Sequence, residues 1–298
     1  YKKIVFKIIP EAKTRMALLK TGEVDIAPLP RDWAVQFKKE GREVVMLPSQ
    51  APVFVGYHSQ WRPDNPLSKK KVREALDLAI NRQEIIDYVL AGFAVQTGIP
   101  APWAAIAAYM EPGMTKPFPY DPARAKALLK EAGYPNGFDI KLMSWPKQGM
   151  AEGPKIIEAI AGYWSAIGVT PKIVPIDYGT WRKQWVENPD QGCVAGWYWV
   201  GSRVWPMSVV RALWASDGKL TYAKNPEVDR MIKQVASAAN EKALKKSLWE
   251  LAIYMQNEHI NGTLFESAVP YGVSKKASGW FPGLLPYAWN FQELFGSR

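Results

Sequence analysis

A chain of 298 residues, 48% hydrophobic and 22% charged, is long enough to bury a full core and too apolar for a disordered or coiled-coil protein. Its apolar runs all fall short of the roughly 18 residues that a membrane-crossing helix needs, and Cys193, His58 and His259 are too few and too far apart for a disulfide framework or a zinc or iron–sulfur set. The formal charge of +10 is spread along the chain, with Lys69-Lys70-Lys71 as its longest run and no nucleic-acid-reading motif, so it describes a solvated surface and no nucleic-acid partner.

Residues 4–9 alternate and are rich in β-branched side chains, which predicts a strand, and helical spacing follows over 12–20 up to Gly22. A second short strand covers 24–27, Asp32 is placed to cap a helix over 33–39, and a third strand covers 44–47. The break at Pro48-Ser49-Gln50-Ala51-Pro52 marks a crossing between lobes, ahead of an extended run over 53–57. Ser68 is placed to cap a helix that buries Val72, Leu76, Ala79 and Ile80. Asn81 with Glu84 makes a capping box for the next helix, whose inward face is Ile85, Ile86, Val89 and Leu90. Five prolines over 100–119 predict a long irregular loop, a candidate binding loop.

Asp121-Pro122 supplies cap and first-turn proline for a helix over 123–132, and Gly133 its left-handed stop. Strands over 138–143 and 169–176 flank an amphipathic helix over 156–167. Asp177 caps a helix carrying Trp181 and Trp185, residues 193–200 form an apolar strand, and Pro206 opens a helix over 207–214. Asn225-Pro226 repeats the cap-and-proline device for a helix to about residue 239; a helix over 243–257, strand-like residues 263–273 and a Trp/Pro-rich tail from 279 complete the chain. Alternating strands and helices without an internal repeat specify an α/β protein.

Four of the fourteen tryptophans, Trp197, Trp199, Trp205 and Trp214, fall within eighteen residues, and serve either as core or as an aromatic-lined ligand surface. The carboxylates Glu152, Glu158, Asp177 and Glu266 lack the spacing of a catalytic pair, so no catalytic residue is assigned and the chain is read as a non-enzyme.

Five ordered signatures then carry a family resemblance: residues 4–10 with 17–27, which include Gly22-Glu23-Val24-Asp25; Val72-Arg73-Glu74-Ala75-Leu76 to Ala79-Ile80-Asn81-Arg82; Tyr120-Asp121-Pro122 to Ala132-Gly133-Tyr134; Gly137-Phe138; and Asn225-Pro226-Glu227-Val228-Asp229. Together they resemble the bacterial extracellular solute-binding proteins, of the family 5 type, that feed peptide, nickel, opine and oligosaccharide ABC importers. The resemblance implies a two-lobed, periplasmic-binding-protein-like α/β fold of type II with an incomplete first lobe. Residues 1–51 plus 267–298 would form part of that discontinuous lobe, and residues 52–266 the second, ligand-binding lobe. It further implies a location in the periplasm or outside the cell, or a lipid anchor on a missing N-terminus. The partners implied are a small or oligomeric solute, an importer permease and the missing N-terminal segment. No cofactor and no metal are implied.

Peptide-binding relatives of that type commonly carry Trp, then an Asp three residues on that pairs with the ligand's amino group, then Pro four further on. Trp199 and Pro206 match this spacing, but the Asp position is Ser202, followed by Arg203. Arg203 is suited to a carboxylate or phosphate, and the faces of Trp197, Trp199 and Trp205 to stacking on sugar rings. Tyr57-His58 stands where relatives often carry an aromatic–Asn pair, as ligand contacts or as structural residues. An oligopeptide or peptide-like solute is the leading expectation, an oligosaccharide the alternative.

Overall fold

The computed structural model describes residues 3–47, 52–98, 116–146, 150–188, 191–199 and 206–280. Its strands are β1 (Ile26–Pro28), β2 (Glu43–Leu47), β3 (Pro52–Tyr57), β4 (Ala94–Gln96), β5 (Asp139–Ser144), β6 (Thr170–Pro175), β7 (Val194–Trp199), β8 (Asn261–Ser267) and β9 (Val269–Val273). They form two sheets, one of order β1-β9-β2 and one of order β4-β8-β3-β7-β5-β6. The small sheet is antiparallel; the large one is parallel across β7-β5-β6 and antiparallel elsewhere. Ala268 alone separates β8 from β9, so the chain passes from one sheet to the other in a single residue there, and it makes its other passage between β2 and β3.

Each sheet carries its own apolar core. Leu19, Leu29, Ala34 and Phe37 pack on the small sheet, while Val53, Phe54 and Val55 of β3 lie at the centre of the larger core. Five fully buried tryptophans belong to that larger core: Trp145, Trp164, Trp181, Trp185 and Trp214. Trp214 lies 5.9 Å from the Phe54 ring, and its burial takes it out of any ligand surface.

Several helix starts follow the sequence pattern. Asp121 accepts the Arg124 N–H at 2.9 Å, Asp177 the Thr180 N–H at 2.9 Å, and Asn225 the Glu227 N–H at 2.9 Å, each satisfying an orphan first-turn donor. Asn81 accepts the Glu84 N–H at 3.2 Å and donates to its carboxylate at 3.1 Å. Elsewhere the structure corrects the reading. The helix Arg31–Lys39 starts behind Pro30 with no side-chain cap, placing Asp32 inside its first turn. Ser68 closes a 3-10 turn, Pro66–Ser68, that Asn65 caps, and the helix Lys70–Leu78 follows behind Lys69. Asn65 holds this corner because its amide also donates to the carbonyls of His58, Ser59 and Gly192 at 2.9, 3.1 and 2.9 Å.

Residues 4–9 are not a strand. No described strand pairs with them; instead the Arg15 guanidinium donates to the carbonyls of Ile9 and Pro10 at 2.8 and 2.6 Å, and Ile8 is 96% exposed. Residues 263–273, read as one strand-like stretch, divide between two sheets at Ala268.

Gly137 sets the register of β5 on β6. Its φ is +72°, and a Cβ there would lie 1.7 Å from the Gly168 carbonyl oxygen, just ahead of the Asp139–Thr170 pair. Gly137→Ala therefore combines left-handed strain with a backbone clash, and is expected to lower stability by roughly 2–4 kcal/mol in urea unfolding. An unchanged midpoint would show that the turn relaxes freely.

Candidate functional site

The two passages between the sheets bring the start of β3, the end of β8 and, two strands from β8, the end of β7 to one end of the large sheet. Trp199 pairs with Val53 and Trp197 with Val55, so the β7 backbone carries both tryptophan positions toward this junction. Ser202, Arg203 and Trp205, just beyond β7, lie outside the described residues.

Tyr57 and His58 stand at the opposite end of β3, five and six residues from Pro52, or roughly 17–20 Å along an extended strand. The structure therefore does not bring them together with Trp199. Both are completely buried. The Tyr57 hydroxyl donates to Asp77 Oδ1 at 2.5 Å, and burial together with that carboxylate raises its pKa well above the ordinary phenol value, so it remains a donor. Asp77 Oδ2 meets His259 Nδ1 at 2.6 Å, while the Arg82 guanidinium, 3.9 Å from Oδ1, donates to the carbonyls of Asp77 and Thr263 at 2.9 and 2.8 Å. Arg73 completes this network by donating to the carbonyls of His259 and Glu258 at 2.9 and 2.6 Å. A Cβ on Gly262 would stand 2.5 Å from Asp77 Oδ1, which is why the strand beside this network carries glycine.

His58 occupies an aromatic cage. Its ring lies 4.8 Å from Trp185, 5.0 Å from Tyr222 and 5.5 Å from Trp181, each edge-on, and Trp145 stacks on Trp181 at 4.8 Å. Burial among these rings lowers the imidazole pKa from 6.5 to about 3, so His58 is neutral at physiological pH. The i, i+4 spacing of Trp181 and Trp185 is the one sequence signal that points to this cage.

At the junction itself stand two features that no sequence motif announces. Arg31, the first residue of its helix beside the small sheet, meets Glu152 Oε2 with Nη1 at 2.6 Å. Its Nη2 donates to Ser267 Oγ at 2.5 Å and to the Ala268 carbonyl at 3.1 Å, so one guanidinium grips residues from both sides of the passage. Glu266, paired in register with Pro52 and Val95, is half-buried, and burial raises its carboxyl pKa to about 7. Burial also pushes the Cys193 thiol up to about 12, which keeps it protonated and unreactive. Among the described residues, no cluster of three or more His, Cys, Asp or Glu is arranged to hold a metal.

The model of a family described as bacterial extracellular solute-binding proteins, family 5, middle part, matches residues 1–220. A glutathione-binding protein, GsiB, of Shigella flexneri is 32% identical over 266 residues, covering 84% of this chain and 49% of its own length. The protein of the same name from Salmonella typhimurium is 37% identical over 180 residues, covering 59% and 33%. Among solved structures, HbpA2 of Haemophilus parasuis superposes with a TM-score of 0.80 at 24% identity, over 95% of this chain and 56% of its own. The periplasmic binding protein DppA of Helicobacter pylori, in complex with the peptide STSA, gives 0.73 at 20% identity, over 93% and 54%. The fold is thus the mixed α/β fold of periplasmic binding proteins, and the chain spans about half the length of the relatives it matches most broadly.

Proposed function

We infer that this chain, which belongs to the family 5 bacterial extracellular solute-binding proteins, captures a peptide-type solute outside the cytoplasmic membrane and passes it to an ABC-importer permease without chemical turnover. The observation that carries the reading is the double passage between two separately cored sheets, by Ala268 and between β2 and β3. Bending at two short chain segments is how a hinge brings two lobes together around a ligand, and a permease that favours the closed form reads that change.

On this reading the sheets belong to two lobes, residues 1–51 with 267–298 and residues 52–266. The solute lies over the end of β7, where Trp197 and Trp199 give way to Ser202, Arg203 and Trp205. Tyr57 and His58 hold β3 from within the core. The names of the relatives, glutathione-binding and peptide-complexed, favour peptides over the oligosaccharide alternative.

Intrinsic tryptophan fluorescence and thermal unfolding of the protein expressed from its whole reading frame test this, against glutathione, short peptides and oligosaccharides. A saturable fluorescence change with a peptide is expected. At a hundredfold excess over Kd, binding adds about 2.7 kcal/mol and raises Tm by several degrees. Saturation by an oligosaccharide alone would move the protein to the sugar branch, and turnover of any of these compounds would contradict the binding role.

A further inference from the structure

Arg31 and Glu152 join two helices that are rooted in different cores. The helix Arg31–Lys39 buries Ala34 and Phe37 against the small sheet, whereas Gly153–Ala166, which Glu152 precedes, buries Ile156, Ile160 and Trp164 in the larger core. The 2.6 Å contact between Nη1 and Oε2 therefore spans the two bodies, and the two side chains are only 7% and 20% exposed. Local chemistry does not place this cation. A guanidinium on the first residue of a helix faces the positive end of the helix dipole, which disfavours it, while a carboxylate at the start of the second helix is favoured. Arg31 is held there by what it reaches: Glu152 on one side, and Ser267 Oγ and the Ala268 carbonyl, at 2.5 and 3.1 Å, on the other.

Ala268 is the single-residue passage between β8 and β9. Its N–H donates to the Phe93 carbonyl at 2.9 Å and its carbonyl accepts from Arg31, so both of its backbone polar groups are fixed. A rotation about this passage moves Ser267 and Ala268 little, because they lie on its axis, whereas Glu152 is carried with the larger core. A displacement of about 1.5 Å takes the Arg31–Glu152 pair beyond ion-pair range. Of the contacts Arg31 makes, the one to Glu152 is thus the one that depends on how the two sheets are turned toward each other.

We propose that Arg31 and Glu152 form a latch that favours the closed arrangement of the two sheets and so sets the affinity for every solute without touching any of them. The proposal rests on the solute-binding reading above and deepens it by naming what holds the closed form. Separation returns both charges to water; closure brings them together with little water between them. Removing one partner leaves the other charge buried and uncompensated in the closed form alone, so the equilibrium moves toward the open one. Such a shift lowers apparent affinity by the fraction of competent molecules, a factor common to all ligands.

The test uses the protein expressed from its whole reading frame, as wild type, Glu152→Gln, Arg31→Gln and the double variant. Small-angle X-ray scattering without ligand reads the lobe separation, and calorimetric titration with glutathione and with trialanine reads affinity. Glu152→Gln, which keeps shape and removes charge, is expected to enlarge the radius of gyration and to weaken both peptides by one common factor, about fivefold or more. In the Arg31→Gln background the same change is expected to alter affinity by less than about twofold, because the pair is already broken. Cooperative thermal unfolding of each variant verifies that it folds. An unchanged radius of gyration, a loss confined to one peptide, or full additivity of the two substitutions overturns the latch and leaves peptide capture standing. The scattering comparison needs no ligand: if the wild type binds neither peptide while Glu152→Gln still enlarges the protein, the peptide reading falls and the latch stands.

Discussion

Asp77→Ala is expected to lower stability by about 3–5 kcal/mol. The side chain is completely buried and is the one carboxylate serving Tyr57, His259 and Arg82. Removing it leaves a phenol without its acceptor and a buried guanidinium without its counter-charge, so the cost is that of orphaned partners more than of lost attraction. A double-mutant cycle with Tyr57→Phe separates the two. In the wild type, Tyr57→Phe is expected to cost about 1–2 kcal/mol, and in the Asp77→Ala background less than half of that, because the hydroxyl has already lost its acceptor. Strict additivity would mean that the Tyr57–Asp77 contact contributes nothing to the folded state.

The second large effect is on pH. His58 titrates at about 3 in the folded protein and at 6.5 when unfolded, so between those values the unfolded chain binds a proton that the folded one refuses. Its contribution is fully present above pH 6.5 and is lost as pH falls toward 3, at most about 5 kcal/mol over the window. Glu266 acts in the opposite sense. Its folded value near 7 lies above its unfolded 4.5, so its contribution is fully present below pH 4.5 and is lost as pH rises through 7. From pH 4.5 to 6.5 the two slopes nearly cancel, and the wild type should lose the His58 contribution visibly only below 4.5. Against the wild type in urea titrations at stepped pH, His58→Phe should expose the Glu266 slope, gaining relative stability as pH falls. Glu266→Gln should expose the His58 slope, losing it from pH 6.5 downward. Parallel curves for all three proteins would show that neither group is perturbed by folding.

The fold was legible where local chemistry decides it. Asp121-Pro122, Asn225-Pro226 and Asn81 with Glu84 mark helix starts through contacts no more than three residues long, and the structure keeps all three. Residues 4–9 carry strand chemistry, yet strand formation needs a neighbour, which local sequence does not supply. The stretch from Val72 to Arg82 was legible as an apolar helix face. Its polar members, Arg73, Asp77 and Arg82, meet Glu258, His259 and Thr263 more than 180 residues away, so their role appears only in the folded molecule. Tyr57-His58 reads locally as an aromatic–polar pair suited to a ligand, whereas the rings that enclose His58 come from Trp181, Trp185 and Tyr222. Glu266 reads as one carboxylate among many until Pro52 and Val95 are seen on either side of it.

The strand order also constrains biosynthesis. β9 is the middle strand of the small sheet and β8 lies between β4 and β3 in the large one, yet both are made more than 200 residues after β2. A ribosome adding about 5–20 residues per second therefore holds β1 and β2 without their shared partner for roughly 10–45 s. During that interval the nascent chain presents two unfilled strand slots, and contacts of such long sequence separation close slowly even after release. Both sheets are thus completed almost together, by the single segment from Asn261 to Val273.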